Sequence, residues 1–147
     1  MTLDAFGTLV ELDDPADRLQ AALAERGVER ERDSVTAAFA EEVAYYVEHK
    51  LSGRDEESLS RLRRECAAVF LHAAGVELDP EEFARPFVEA LVFRPLDGVV
   101  PVLERLRGAG LVLACVSDWD VSLAAQLGRV GLDHILAAIV SSAEVGV

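Results

Sequence analysis

Residues 3–9 read Leu3-Asp4-Ala5-Phe6-Gly7-Thr8-Leu9, and this stretch decides how the rest of the chain is read. A lead from Met1 to Leu3, short for a core strand, ends on a carboxylate. Gly7 then permits a sharp turn, because a residue without Cβ enters positive φ freely. Taken alone the stretch fits two readings. Asp4 can end a strand and hydrogen-bond the amides of the turn. Alternatively, Asp4 is a nucleophile at a strand end. Gly7 then lets backbone N–H groups approach a bound anion, and Thr8 adds a hydroxyl donor.

Composition narrows the field before the rest of the chain chooses between them. A length of 147 residues, 51% hydrophobic, suffices for a sizeable core. The formal net charge of -13, from 27 acids against 14 Lys and Arg, repels nucleic acid and anionic membrane surfaces alike. Cys66 and Cys115 fall in segments that read as helix and buried strand, which suits reduced thiols and a cytoplasmic protein. No apolar run approaches the roughly 20 residues of a membrane span, and the start has no basic and apolar signal pattern.

Four amphipathic segments follow the opening stretch. Asp14 as N-cap, Pro15 at the first helical position, Leu19 and Leu23 on one face and Gly27 as the stop predict a short helix. Val35, Ala38, Phe39, Val43, Tyr46 and Val47 predict a longer helical face that ends near Gly53. Leu59, Leu62, Cys66, Val69 and Phe70 repeat the scheme, with Gly75 closing it. Asp79 and Pro80 open a fourth helix, in which Pro86 predicts a kink or a break. Together these segments predict a small antiparallel bundle. Beyond it, a helix with Pro101 in its first turn leads into the apolar strand LVLACVS (111–117). A second helix follows, with Asp120 as N-cap, and then a strand around Ile135 to Val140. Strands separated by single helices pair in parallel. The expected fold is therefore α/β: a Rossmann-like three-layer parallel sheet, incomplete because only three strands are readable, with an inserted helical-bundle cap. Residues 1–11 and 94–147 form the core in this reading, and 12–93 the cap.

Ligands of open α/β sheets bind beyond the carboxyl ends of the strands. Asp4 ends the first strand and Ser117, in VSDWD, ends the second. These residues resemble the haloacid dehalogenase-like (HAD) hydrolases, in which an apolar strand ends Asp-x-Asp-Gly-Thr-Leu and a later strand ends in Ser or Thr. Asp4, Gly7, Thr8 and Leu9 match the first motif, Ser117 matches the second, and the helical insert is similar to the family's cap. The resemblance covers the whole chain. It implies Asp4 as the nucleophile, with Thr8 and Ser117 holding the transferred group and the Phe6 and Asp118 backbones completing the cradle. It also implies Mg2+, held by Asp4 and by the backbone carbonyl of Phe6.

Two departures bear on function. Phe6 stands where most family phosphatases carry a second Asp that protonates the leaving oxygen and activates water. General acid–base help is worth roughly 10²–10⁴-fold, so a phosphatase without it should be slow. Relatives also follow the segment corresponding to SSAEVGV with a Lys-Pro pair and a later acidic motif. The chain is accordingly expected to be the front part of a longer protein and inactive by itself. The only lysine, Lys50, lies in the predicted cap.

The leading expectation is a phosphatase of a small phosphorylated metabolite, working through an aspartyl-phosphate on Asp4. The alternative is a 2-haloacid dehalogenase acting on a halogenated metabolite. Phe6 suits that reading, because a halide leaves without a proton and family dehalogenases often have an aromatic there. Asp118 argues against it, because those dehalogenases usually carry Asn at this position and an ionised Asp repels an anion. Arg30 or Arg32 would fill the cap's arginine role. A third reading is a non-catalytic binding or assembly module. His49, His72 and His134 show no ligand spacing and read as helix-end or surface residues. Tyr46 reads as core, Tyr45 as a residue that can reach a substrate, and Trp119 as packing beside the cleft. Arg61, Arg63 and Arg64 read as a solvated helix face. The last strand is expected at an exposed edge that favours self-association.

Overall fold

The computed structural model describes residues 1–146. The elements run β1 (Thr2–Leu3), β2 (Val10–Leu12), α1 (Pro15–Ala24), α2 (Arg32–His49), a 3-10 turn (Lys50–Ser52), α3 (Glu56–Ala73) and α4 (Pro80–Ala90). They continue with β3 (Phe93–Pro95), α5 (Val99–Gly108), β4 (Ala114–Ser117), α6 (Leu123–Arg129), β5 (Ala138–Ser141) and α7 (Ser142–Val145). Two compact units result, one of Met1–Leu12 with the chain from Phe93 onward, the other of Asp13–Val92.

The first unit is the α/β core. Its sheet is parallel, in the order β1-β4-β5. The register aligns Leu3 with Cys115 and Cys115 with Ile139. That row packs in one cluster with Leu103 of α5 and with Leu123 and Leu127 of α6. Strand alternation turns the intervening residues the other way, and there Val112 is 71% and Val116 51% exposed. The fold is the expected Rossmann-like α/β one, and among the described residues α5 and α6 share one face of the sheet. A second, antiparallel pair joins β2 to β3, with Val10 opposite Pro95 and Leu12 opposite Phe93, tied by an Arg94–Glu11 ion pair. These strands are three residues each and mixed in polarity, so periodicity does not reveal them.

Two expectations about this unit change. The last strand begins at Ala138, not near Ile135, because Ile135 and Leu136 are buried in the turn that follows α6. Helix α6 begins at Leu123 with Ser122 at its cap position, so Asp120 is not its N-cap. Asp120 instead accepts from the Ser122 amide at 2.7 Å, fixing the turn just ahead of the helix.

The second unit is the helical bundle α1–α4. Asp14 accepts from the Asp17 amide ahead of Pro15, and the Asp55–Ser58 pair makes a capping box on α3. Leu19, Leu23, Val35, Leu62, Phe70, Phe83 and Phe87 are nearly inaccessible in its core. Helix α4 runs unbroken through Pro86, with Phe83 and Phe87 buried on either side of it, where the sequence predicts a kink or a break. Packing of that face outweighs the lost hydrogen bond. The inward face of α2 also differs from expectation. Val43 is 39% and Val47 55% exposed, whereas Glu42 is buried at 4%. An apolar residue on either flank fits a helical stripe, and the neighbouring α3 decides which flank is covered. None of the helices among the described residues is long and apolar enough to cross a membrane.

Candidate active site

The carboxyl ends of β1 and β4 meet because the two strands pair in register, Thr2 with Ala114 and Leu3 with Cys115. One residue past β1, Asp4 is exposed at the sheet end. Ser117, the last residue of β4, is 5% exposed, and its Oγ donates to Asp4 Oδ1 at 2.7 Å. The same Oγ accepts from the Ala5 amide at 3.4 Å, which fixes the direction of the hydroxyl proton. Asp4 Oδ2 accepts no hydrogen bond among the described residues. The sheet thus holds one carboxylate oxygen by a buried hydroxyl and leaves the second facing solvent.

The turn after Asp4 is built around a single carbonyl. Ala5 O accepts from the amides of Thr8, Leu9 and Val10 at 3.2, 2.8 and 3.0 Å, while the Gly7 amide donates to Val10 O at 2.9 Å. Gly7 sits at φ 74, the left-handed conformation that favours glycine. The Gly7 and Thr8 amides therefore close the turn itself. Thr8 is exposed in this turn and Asp118 is exposed just past β4. Of the expected site residues, Asp4 and Ser117 are joined by a hydrogen bond; among the described residues Thr8 makes none to Asp4.

Behind the carboxylate, burial and then the Asp4 charge push the Cys115 thiol up to about 11. It stays protonated at neutral pH and is no competing nucleophile. An aromatic row lies to the other side. The Phe6 ring, 54% exposed, is 6.5 Å from Trp119 at an interplanar angle of 58°, and Trp119 is 5.2 Å from Phe93 at 57°. Trp119 is the packing residue the sequence suggests. Phe93, in the unpredicted strand β3, completes the row. The Ala143 amide donates to the Trp119 carbonyl at 3.2 Å and so anchors that loop to α7.

Within the bundle, several candidates have structural partners. Arg30 donates to the carbonyls of Ala74 and Gly75 at 2.9 and 2.6 Å, tying the α1–α2 connection to the end of α3. Arg32 pairs with Asp17 and Asp14 at 2.6 and 2.9 Å. Tyr45, read from sequence as able to reach a substrate, instead donates to Glu65 Oε2 at 3.1 Å and stacks on His49 at 4.0 Å. Arg64 pairs with Glu81 at 2.7 Å. Among the described residues, no three His, Cys, Asp or Glu side chains cluster as a metal site.

No protein-family model matches the sequence, and no curated protein sequence matches it. Solved structures do. An L-2-haloacid dehalogenase from Xanthobacter autotrophicus is 26% identical over 95% of this chain and 55% of its own, with a TM-score of 0.63. A Bacillus subtilis protein described as a HAD-hydrolase and solved with magnesium matches 99% of this chain and 65% of its own, at 16% identity and a TM-score of 0.69. A predicted phosphoglycolate phosphatase from Haemophilus somnus matches 95% of this chain and 60% of its own, at 21% identity and a TM-score of 0.53. The chain spans about three fifths of the length of these structures. With its parallel sheet, its inserted bundle and Asp4 beside Ser117 at the strand ends, the chain shares the fold of these haloacid dehalogenase-like (HAD) hydrolases.

Proposed function

We propose that this chain carries the nucleophile end of a HAD-type phosphatase acting on a small phosphorylated metabolite. One observation supports it above the others: Ser117 Oγ holds Asp4 Oδ1 at 2.7 Å across 113 residues of sequence, leaving Oδ2 open to a substrate. In the proposed reaction Oδ2 attacks phosphorus, the bond to the leaving oxygen breaks, and water then hydrolyses the aspartyl-phosphate and returns the carboxylate. Ser117 fixes the carboxylate's orientation throughout. Thr8 and Asp118, exposed at the same end of the sheet, would hold the transferred group. One carboxylate and the Phe6 carbonyl, completed by water and substrate oxygens, form a donor set that Mg2+ accepts, and the ion would screen the two anions from each other. No Lys or Arg pairs with Asp4 among the described residues, and Phe6 supplies no proton to the leaving oxygen. Turnover by the isolated chain accordingly stays near background, and esters with good leaving groups react first.

The dehalogenase reading is kept as the second, on the strength of the exposed aromatic at Phe6 and the 26% identity to the Xanthobacter enzyme. We also propose reduced thiols in a cytoplasmic setting, with both cysteines free and buried, and self-association through the open side of the sheet. The deciding assay compares para-nitrophenyl phosphate with Mg2+ against halide release from 2-chloropropionate. It is run on this chain and on any longer natural product containing it, each with Asp4→Asn as control. Metal-dependent phosphate release lost in Asp4→Asn supports the proposal. Metal-free halide release without phosphatase activity replaces it with the second reading.

A further inference from the structure

The aromatic row beside Asp4 is not used by the chemistry above. The chain buries Phe70, Phe83 and Phe87 at 1% exposure or less, yet leaves Phe6 54% exposed. Phe6 follows Asp4 by two residues, and Trp119 follows Ser117 by two. Past the strands each segment bends once, at Ala5 and at Asp118. Asp4 meets Ser117, and two residues on along each segment Phe6 meets Trp119. A polar rung is followed directly by an aromatic one.

The ring is also held in place. Phe6 bridges to Val10, and the following Gly7 amide donates to Val10 O. Trp119 behind it is 8% exposed and rests on Phe93. Both ring pairs lie within the centroid range of favourable aromatic contacts. A backed, outward-facing ring with no polar atom adds only apolar contact area to a site. We propose that Phe6, supported by Trp119 and Phe93, is a platform that receives an apolar, aromatic leaving group of the substrate. The inference rests on reading Asp4 as the phosphoryl acceptor. It agrees with an independent property of the same residue: Phe6 donates no proton, and an aryl oxide, unlike an alkoxide, departs without one.

Trp119 is the only tryptophan, so its emission reports ligands at Phe6 without any turnover. The test titrates the chain, with Mg2+ present, with phenylphosphonate and with methylphosphonate, neither of which can be hydrolysed, using inorganic phosphate as competitor. Phenylphosphonate is expected to bind about threefold to tenfold more tightly than methylphosphonate. Phe6→Ala should erase that gap, and Phe6→Leu should keep part of it. Far-UV circular dichroism checks that each variant is folded; should Phe6→Ala fail to fold, the Phe6→Leu comparison decides. Equal affinities for the two phosphonates, both displaced by phosphate, would overturn the platform and leave the anion site standing. Absence of binding by phenylphosphonate, methylphosphonate and phosphate alike would overturn both.

Discussion

Glu42 gives the sharpest stability prediction. It sits on the inward face of α2, 4% exposed, and burial raises its carboxyl to about 7, an effect opposed by a hydrogen bond with Cys66. Below the unfolded value of 4.5 the group is protonated in both states and imposes no pH-dependent penalty. As the pH rises from 4.5 to about 7 the unfolded chain ionises while the folded one keeps its proton, so stability falls. Above that the folded group ionises in place and the loss levels off. At about 1.4 kcal/mol per unit the whole change approaches about 3 kcal/mol, of which about 2–3 kcal/mol falls between pH 5 and pH 8. Glu42→Gln keeps the shape and cannot ionise. Urea unfolding read by circular dichroism, which follows the helices of the bundle, should show the variant gaining on the parent by that amount from pH 5 to pH 8. With typical urea dependences this is a midpoint shift of about 1–3 M. Glu41→Gln, on the exposed side of the same turn, is the control. If the difference between Glu42→Gln and the parent is the same at pH 5 and pH 8, Glu42 does not hold its proton in the folded bundle and the reasoning fails.

Other expectations follow from the core unit. Ser117→Ala removes the donor to Asp4 and the acceptor for the Ala5 amide; it should destabilise that unit by about 1.5–3 kcal/mol in denaturation followed by Trp119 fluorescence. Gly7→Ala adds a Cβ that meets nothing within 4 Å, so its effect should be backbone strain alone at φ 74, about 1–2 kcal/mol by the same assay. A loss much beyond that would mean the turn does more than its geometry indicates. Val116→Lys places a charge on the open face of the sheet, and light scattering after size exclusion should show a smaller associated fraction than for the parent. Unchanged association would move the contact elsewhere.

Much of this architecture is legible in the sequence because local rules and global fold agree there. Asp14-Pro15, Asp55-Glu56 and Asp79-Pro80 each start a helix where capping chemistry satisfies the first amides, and the chain has little choice. The short apolar run ending at Ser117 reads as a strand, and the strand forms over Ala114–Ser117 with Cys115 buried and Val116 open. Asp4 and Ser117 are identifiable for the same reason: polar residues closing apolar runs. Tertiary structure decides what depends on neighbours distant in sequence. Which flank of α2 is buried is set by α3, so Glu42 is enclosed while Val43 and Val47 face water. Pro86 stays helical because Phe83 and Phe87 are packed on either side of it. The amides of Gly7 and Thr8 turn inward because the Val10 carbonyl takes the first and the Ala5 carbonyl the second. Phe6 comes to lie against Trp119 because two strands pair in register across more than a hundred residues, and nothing in either local sequence encodes that meeting.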